Sequence, residues 1–295
     1  MEIRQVRYFL ALAEERHFGR AAARVNVAQP ALSQQIKQLE RQVGSTLFDR
    51  STRHVALTEA GRHLLTHARS ILGEVERAEA HMAALASGQA GRVSVGFVGT
   101  ATYDVLPRVA RTVRSRLPGV SLELRGELLV PELVQGLADG TYDLAVLRTD
   151  DHLDAAVEVT PLRTERLVAV LPTRHPLARH PRVPLAALAD EPFVVHPSQA
   201  RSTMYAWVLG ACARAGFRPA TLVEVGETAT LVVFVAAGHG VALVPESVQS
   251  LRLDGVTYVP LAEHEPVTLA LARRSHPDPP VVDRVADVIE TSVRR

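Results

Sequence analysis

The sequence predicts an α+β chain of more than one domain: an N-terminal winged helix-turn-helix, one long helix, then a larger α/β part. Three observations predict this. Residues 3–43 place apolar side chains at helical spacing in three short runs. A further run, from residue 58 to 86, keeps a seven-residue apolar repeat. From residue 92 onward, Val- and Leu-rich strand-like runs alternate with helical ones. A length of 295 residues, 47% hydrophobic and 22% charged, fits about two globular domains.

In the first run, IRQVRYFLALAEE (3–15), Ile3, Val6, Phe9, Leu10 and Ala13 share one helical face. GRAAARV (19–25) is a short Ala-rich helix whose small side chains permit close approach. Asn26 and Val27 break the pattern, and Pro30 suits a first helical turn, where a missing N–H costs nothing. The third helix stops at Gly44, a common C-terminal signal. It buries Leu32, Ile36 and Leu39 and exposes Ser33, Gln34, Lys37 and their neighbours, with no acid before Glu40.

Two short helices joined by a tight turn form a helix-turn-helix, and such a second helix fits a DNA major groove. Gln and Ser offer donors and acceptors to base edges, whereas carboxylates are repelled by phosphate. The helix start at Gln29 and Pro30 presents free N–H groups to a phosphate. Taken alone, this face equally fits a solvated surface helix. TLFDR and HVAL (46–50 and 54–57) then read as a hairpin, or wing, with Arg50, Thr52 and Arg53 toward its tip. Arginines there suit phosphate or a narrow minor groove, or are incidental on a plain hairpin.

Thr58 reads as the N-cap of the long helix. Leu64, Ala68, Ile71, Val75, Ala78, Met82 and Leu85 recur at spacings of 4, 3, 4, 3, 4 and 3, a seam for pairing with a second helix. The alternative is one amphipathic helix packed on its own domain. SGQAG (87–91) reads as a flexible break.

The stretch RQVRYFLALAEERHFGRAAARVNVAQPALSQQIKQLERQVGSTLFDR, followed by VALTEAGR, resembles the LysR-type transcriptional regulators over residues 1–65. The likeness extends at lower specificity over the whole chain. It implies that Gln29, Pro30, Ala31, Ser33 and Gln34 lie at the groove and that Arg50 and Arg53 lie in the wing. Two positions depart from the commonest pattern. Ala28 stands where a capping Ser is frequent, and Gln34 where many members carry Arg. Gln pairs best with adenine and Arg with guanine, so base preference does not carry over.

In the α/β part, VSVGFV, VSLELRG and YDLAVLR read as strands with helices between them, which implies a parallel sheet. RLVAVLP, FVVHP, LVEV and VALVP, with helices from about Ser202 and from Thr228, form a second set. VTLALAR and a helix over 280–293 return to the first. The resemblance implies a two-lobed, periplasmic-binding-protein-like effector domain. The expected division is 1–58, 59–91 and 92–295, with lobe I at about 92–162 and 268–295 and lobe II at about 163–267.

Ligands in such folds sit beyond the carboxyl ends of strands, against helix N-termini. Thr100, Ala101 and Thr102 follow the first strand, and Arg148 follows YDLAVL. Ser202, Thr203 and Met204 open one helix of the second lobe, and Glu227 with Thr228 opens another. These groups, with Val130, are the expected effector site. The alternative is that Thr102, Ser202 and Thr228 simply cap helices, the commoner fate of Ser and Thr there. GFVGT, PSQ with ST, and EVGET with LVVFVAAGHGVALVPES look most like regulators that sense benzoate, muconate and related acids. Val130 stands where those relatives present a hydroxyl. An organic anion is the expected effector, because Arg148 and Arg201 supply positive charge.

Charge and composition set further bounds. Residues 1–92 hold 13 Arg and Lys against 9 Asp and Glu, and the rest holds 20 against 23. Only the front end therefore carries a basic excess toward a polyanion. A single cysteine, Cys212, excludes an intrachain disulfide and reads as a buried small hydrophobe. His175 and His180 lie among prolines at poor metal-ligand spacing and read as a solvated loop. GHG (238–240) reads as a turn, and GxSxG, HExxH, P-loop and GxGxxG patterns are absent.

No cofactor, metal site or catalytic residue is therefore expected. Charges in the first helix and the short apolar run at 231–238 exclude a signal peptide and a membrane span, and predict a cytoplasmic protein. The implied partners are double-stranded DNA at dyad half-sites, a small-molecule effector, a second copy as homodimer or homotetramer, and RNA polymerase. The competing reading is a non-DNA-binding α/β cleft protein or enzyme acting on a small metabolite.

Overall fold

The apolar spacing of the first 43 residues becomes three helices, α1 (Ile3–Glu15), α2 (Phe18–Arg24) and α3 (Gln29–Val43). The structure, a computed structural model, describes residues 1–50, 55–149, 157–198, 202–275 and 278–293. Val6, Phe9 and Leu12 of α1, Ala21 and Ala22 of α2, and Leu32, Ile36 and Leu39 of α3 share one buried core. Ile3 departs from the expected face: it is 47% exposed, because it precedes the turn over which α2 and α3 lie. Asn26 makes the tight turn by adopting φ +57°, and the Val27 N–H bonds the Ala22 carbonyl at 3.0 Å.

Strands β1 (Phe48–Arg50) and β2 (Val55–Leu57) pair antiparallel as the wing. Two devices fix it to the helices. The Glu40 carboxylate accepts the N–H groups of Leu47 (3.0 Å) and Phe48 (3.3 Å). The Phe48 ring packs on Phe9 at 5.3 Å between centroids. The one acid of α3 is thus a structural ligand of the wing. Thr58 caps α4 (Glu59–Ala86): its hydroxyl oxygen accepts the Gly61 N–H at 2.9 Å and its O–H donates to the Thr46 carbonyl at 2.7 Å.

The chain divides into two compact units, Met1–Ala83 and Ala84–Arg295. In the second, the break expected at 87–91 is an ordered turn. Gly88 is buried at φ +69°, and a Cβ there would lie 2.7 Å from the Pro280 backbone. Close packing on the last helix accounts for this glycine, where free motion was expected.

Lobe I holds β3 (Ala90–Val98), α5 (Gly99–Thr102), α6 (Val105–Arg116), β4 (Gly119–Leu128), α7 (Val130–Ala138) and β5 (Leu144–Thr149). The 16-residue strand β6 (Val157–Pro172) crosses to lobe II. There follow β7 (Phe193–Val195), α8 (Thr203–Arg214), β8 (Leu222–Glu224), α9 (Thr228–Ala236), β9 (Ala242–Pro245) and β10 (Val256–Pro260). Strand β11 (Pro266–Arg274) and α10 (Pro280–Val293) return to lobe I.

The sheet is mixed, where an all-parallel sheet was expected. Strands β4, β3 and β5 are parallel, but β11 runs antiparallel to β5 and β6, and β9 and β10 run antiparallel to β6. The cause is β6 itself, which pairs with β11 along its first part and with β9 and β10 along its second. Each lobe keeps its own apolar core, around Phe97, Leu133, Val146 and Ile289 in one and around Phe193, Cys212 and Leu243 in the other. Among the described residues no helix is long and apolar enough to cross a membrane.

Candidate functional site

The outward stripe of α3 is built by helical spacing. Pro30, Gln34, Lys37 and Arg41 recur at four, three and four residues and are exposed, as are Gln29 and Ala31, while Ser33 is half-buried. Gln35, on the flank, is held by Gln5 of α1 at 3.4 Å. No side chain caps α3 at Ala28; Pro30 has no N–H, and the Ala31 and Leu32 N–H groups bond the Ala28 carbonyl at 3.0 and 3.1 Å. Lys37 has no ion-pair partner among the described residues, whereas Arg20 and Arg24 of α2 are tied to Glu14 and Glu15. The stripe is therefore cationic and hydrogen-bonding without a carboxylate. Thr52 and Arg53 lie outside the described residues, as does Arg201; Arg50 is described by its backbone in β1.

The α4 seam divides in two. Ala68 is buried and Leu64 half-buried against the core of α1–α3, as the single-helix alternative expected. Ile71 and Val75 are half-buried, and Ala78, Met82 (63%) and Leu85 (37%) are exposed.

In the second unit, the carboxyl ends of β3, β5 and β7 and the N-termini of α7, α8 and α9 converge on a cleft between the lobes. Thr100, Val130, Arg148, Ser202, Thr203 and Met204 line it, together with Glu127 and His196. The space left among them admits about one water molecule. Four expected residues are not among them, and of these Thr228 opens α9 with its N–H on Glu127. Ala101 is buried in the lobe I core. Thr102 positions Glu127, its hydroxyl oxygen accepting the Glu127 N–H at 2.9 Å. Glu227 is exposed and accepts the Thr230 hydroxyl at 3.3 Å.

Arg148 was expected as a free cation of the cleft, but it is fully buried and paired. It donates to Glu165 at 3.1 Å, to Ser247 at 3.2 Å and to Thr100 at 3.3 Å. Arg163 joins Glu165 (2.6 Å) to Asp104 (2.5 Å), and Arg108 joins Asp104 at 2.7 Å. Three guanidiniums thus face two carboxylates in this chain, and the Arg148 Nη1 has no partner. Burial opposes ionisation of Glu165, yet Arg148, the Ser247 hydroxyl and Arg163 outweigh it and hold the carboxyl below its ordinary value.

Glu127, at the end of β4, reaches across the cleft. Its carboxylate accepts the N–H groups of Thr228 (2.9 Å) and Ala229 (3.3 Å) at the start of α9, and the Tyr103 hydroxyl at 2.5 Å. Burial and this carboxylate push the Tyr103 hydroxyl well above its ordinary pKa. Gly99 makes room: a Cβ there would lie 2.5 Å from the Glu127 Oε2 and 2.6 Å from the Thr228 hydroxyl. His196 is 6% exposed, and burial pushes its imidazole below the ordinary value. Sequence reasoning missed both Glu127 and His196.

Other candidates take structural roles. His175 caps a 3₁₀ turn through its Nδ1, which accepts the Leu177 N–H at 3.1 Å, and its Nε2 meets Glu191 at 3.1 Å. It is not a solvated loop residue, because the turn needs its ring. Cys212 is fully buried, and burial raises its thiol to about 11, far from a reactive thiolate. Among the described residues no group of three or more His, Cys, Asp or Glu is placed to hold a metal ion.

Residues 3–62 match the family model described as bacterial regulatory helix-turn-helix protein, lysR family, and residues 86–294 match the LysR substrate binding domain. The chain is 40% identical over 271 residues to the uncharacterized HTH-type transcriptional regulator YnfL of Escherichia coli K12, covering 91% of this chain and 90% of that one. It superposes on full-length CbnR in complex with its target DNA with a TM-score of 0.82 at 28% identity, covering 99% and 100% of the two chains. It also matches the BenM effector binding domain with its effector benzoate at a TM-score of 0.60 and 28% identity, covering 68% and 90%.

Proposed function

Because the chain belongs to the LysR family of DNA-binding transcriptional regulators, we propose that it reads operator DNA through α3 and that a small organic acid between its lobes controls that reading. The enzyme alternative falls, since the family and its relatives are regulators.

The groove-facing residues are Gln29, Pro30, Ala31, Ser33, Gln34 and Lys37, with Arg50, Thr52 and Arg53 of the wing. Two copies pair along the exposed end of α4, through Ala78, Met82 and Leu85, so that two recognition helices address two half-sites. Further pairing gives a tetramer. Effector binding shifts the population of assembly states and hence the path of the bound DNA, which changes engagement of RNA polymerase at the promoter.

The single observation that supports an acid effector is the Arg148 Nη1, a buried guanidinium nitrogen without a partner, lining a cleft roofed by helix N-termini. Once the lobes part from this closed state, the apolar wall of Val98, Leu128, Val130 and Met204 suits a hydrocarbon body, and benzoate in the BenM domain is of that kind.

The test uses the intact protein and a labelled duplex taken from upstream of its own gene. Affinity should fall steeply with salt, by about 0.9 log unit per phosphate contact per log unit of salt. A panel of small carboxylates should include one that changes the end-to-end distance of the bound duplex. DNA geometry indifferent to every acid contradicts control by an acid.

A further inference from the structure

Four buried side-chain atoms of the described residues have no hydrogen-bond partner: Arg148 Nη1, His196 Nδ1, Thr228 Oγ1 and Asp278 Oδ2. Arg148 and His196 line the same cleft, and Thr228 opens α9 beside Glu127. An orphan polar atom in a cleft marks where a ligand supplies the missing partner. What each atom lacks therefore describes the ligand.

Arg148 can only donate, so Nη1 lacks an acceptor. His196 lacks a partner as well. Its Nδ1 is buried without a partner, in a residue that is 6% exposed. A neutral imidazole nitrogen accepts or donates according to its tautomer. Burial keeps the ring neutral against the pull of Glu127. A ligand hydroxyl both donates and accepts, so it completes Nδ1 in either tautomer. The Glu127 carboxylate already stands at this end of the cleft, so a second ligand carboxylate there would be repelled.

We propose that the effector is a hydroxylated monocarboxylic acid, its carboxylate on Arg148 and its hydroxyl hydrogen-bonded to His196 Nδ1, and that the cleft discriminates against dicarboxylates. This rests on the organic-acid reading above and narrows it. His196 is the specificity-determining residue, because a site with a buried, unpaired polar atom rejects the analogue that cannot pair with it.

Titration calorimetry on the intact protein tests this with matched probes: benzoate against 2-, 3- and 4-hydroxybenzoate, butyrate against 2- and 3-hydroxybutyrate, and phthalate as the dicarboxylate. At least one hydroxy acid should bind about tenfold tighter than its parent, and phthalate should bind more weakly than benzoate. His196→Phe should erase the hydroxyl advantage, so that hydroxy acid and parent bind alike, while His196→Gln, whose amide both donates and accepts, should recover part of it. Should the buried substitutions fail to fold, the wild-type comparison decides alone. Parent acids that bind with no gain from any hydroxyl overturn the role of His196 and leave the organic-acid reading intact. A gain that persists in His196→Phe does the same. No binding by any of these acids overturns both.

Discussion

The carboxylate of Glu127 accepts the backbone N–H of Thr228 at 2.9 Å, joining positions 101 residues apart in the chain. Glu127 belongs to lobe I and Thr228 opens a helix of lobe II. One side chain therefore supplies the negative charge that a helix N-terminus favours and ties the lobes across the cleft. The backbone adapts to this: Glu127 is one of three non-glycine residues at positive φ among the described residues, at +58°.

Glu127→Gln should weaken that tie. It keeps one acceptor but loses the charge, so thermal unfolding should show a loss of about 1–2 kcal/mol. An unchanged melting temperature would mean the contact carries no closing force.

The Arg148–Glu165 pair makes stability pH-dependent. The folded pKa of Glu165 lies below its ordinary 4.5, so its contribution is full above that pH and is lost as the pH falls below it toward the folded value. Glu165→Gln should cost about 3–5 kcal/mol at neutral pH, because Arg148 is left buried without its partner. It should also flatten the acid limb of melting temperature against pH. A parallel limb in the variant would assign acid sensitivity to other carboxylates.

Pairing through α4 is best tested away from Leu64 and Ala68, which pack on their own domain. Met82→Glu with Leu85→Glu changes exposed positions only. The double variant should lower the mass measured by light scattering while circular dichroism stays unchanged. An unchanged mass would remove this helix end from the interface.

Gln34→Ala should relax base choice at one operator position and leave non-specific binding almost intact, since Gln34 is exposed on the stripe of α3 and carries no charge. Equal loss on all sequences, measured by anisotropy, would make Gln34 a positioning contact. Lys37→Ala should act the other way, weakening all sequences and reducing the salt slope by about one.

Much of the architecture was legible because it rests on local periodicity. Leu32, Ile36 and Leu39 announce α3, Gly44 ends it at φ +72°, and Ala28 leaves it without a side-chain cap. The antiparallel strand β10 escaped because VTYVP follows a loop and pairs with β6, far earlier in the chain. The cleft was half legible. Thr100, Arg148 and Ser202 follow strands or open helices, a positional signal that sequence carries. Glu127 and His196 carry none: a glutamate in GELLV and a histidine in VVHPS acquire meaning only when β4, β7 and α9 meet. Arg148 was found but misjudged, because Glu165 lies on the next strand and its pairing is tertiary.

The most direct test is a thermal-shift titration of the intact protein with small carboxylic acids, run in parallel on Arg148→Lys. Lysine keeps a charge but loses the fork that serves Glu165, Ser247 and the cleft together. The wild type should be stabilised by about 2.7 kcal/mol when an effector acid is present at roughly 100 times its dissociation constant, and the variant should lose most of that gain. A wild type that no carboxylate stabilises, or a gain undiminished in Arg148→Lys, would contradict an acid-binding cleft built on Arg148.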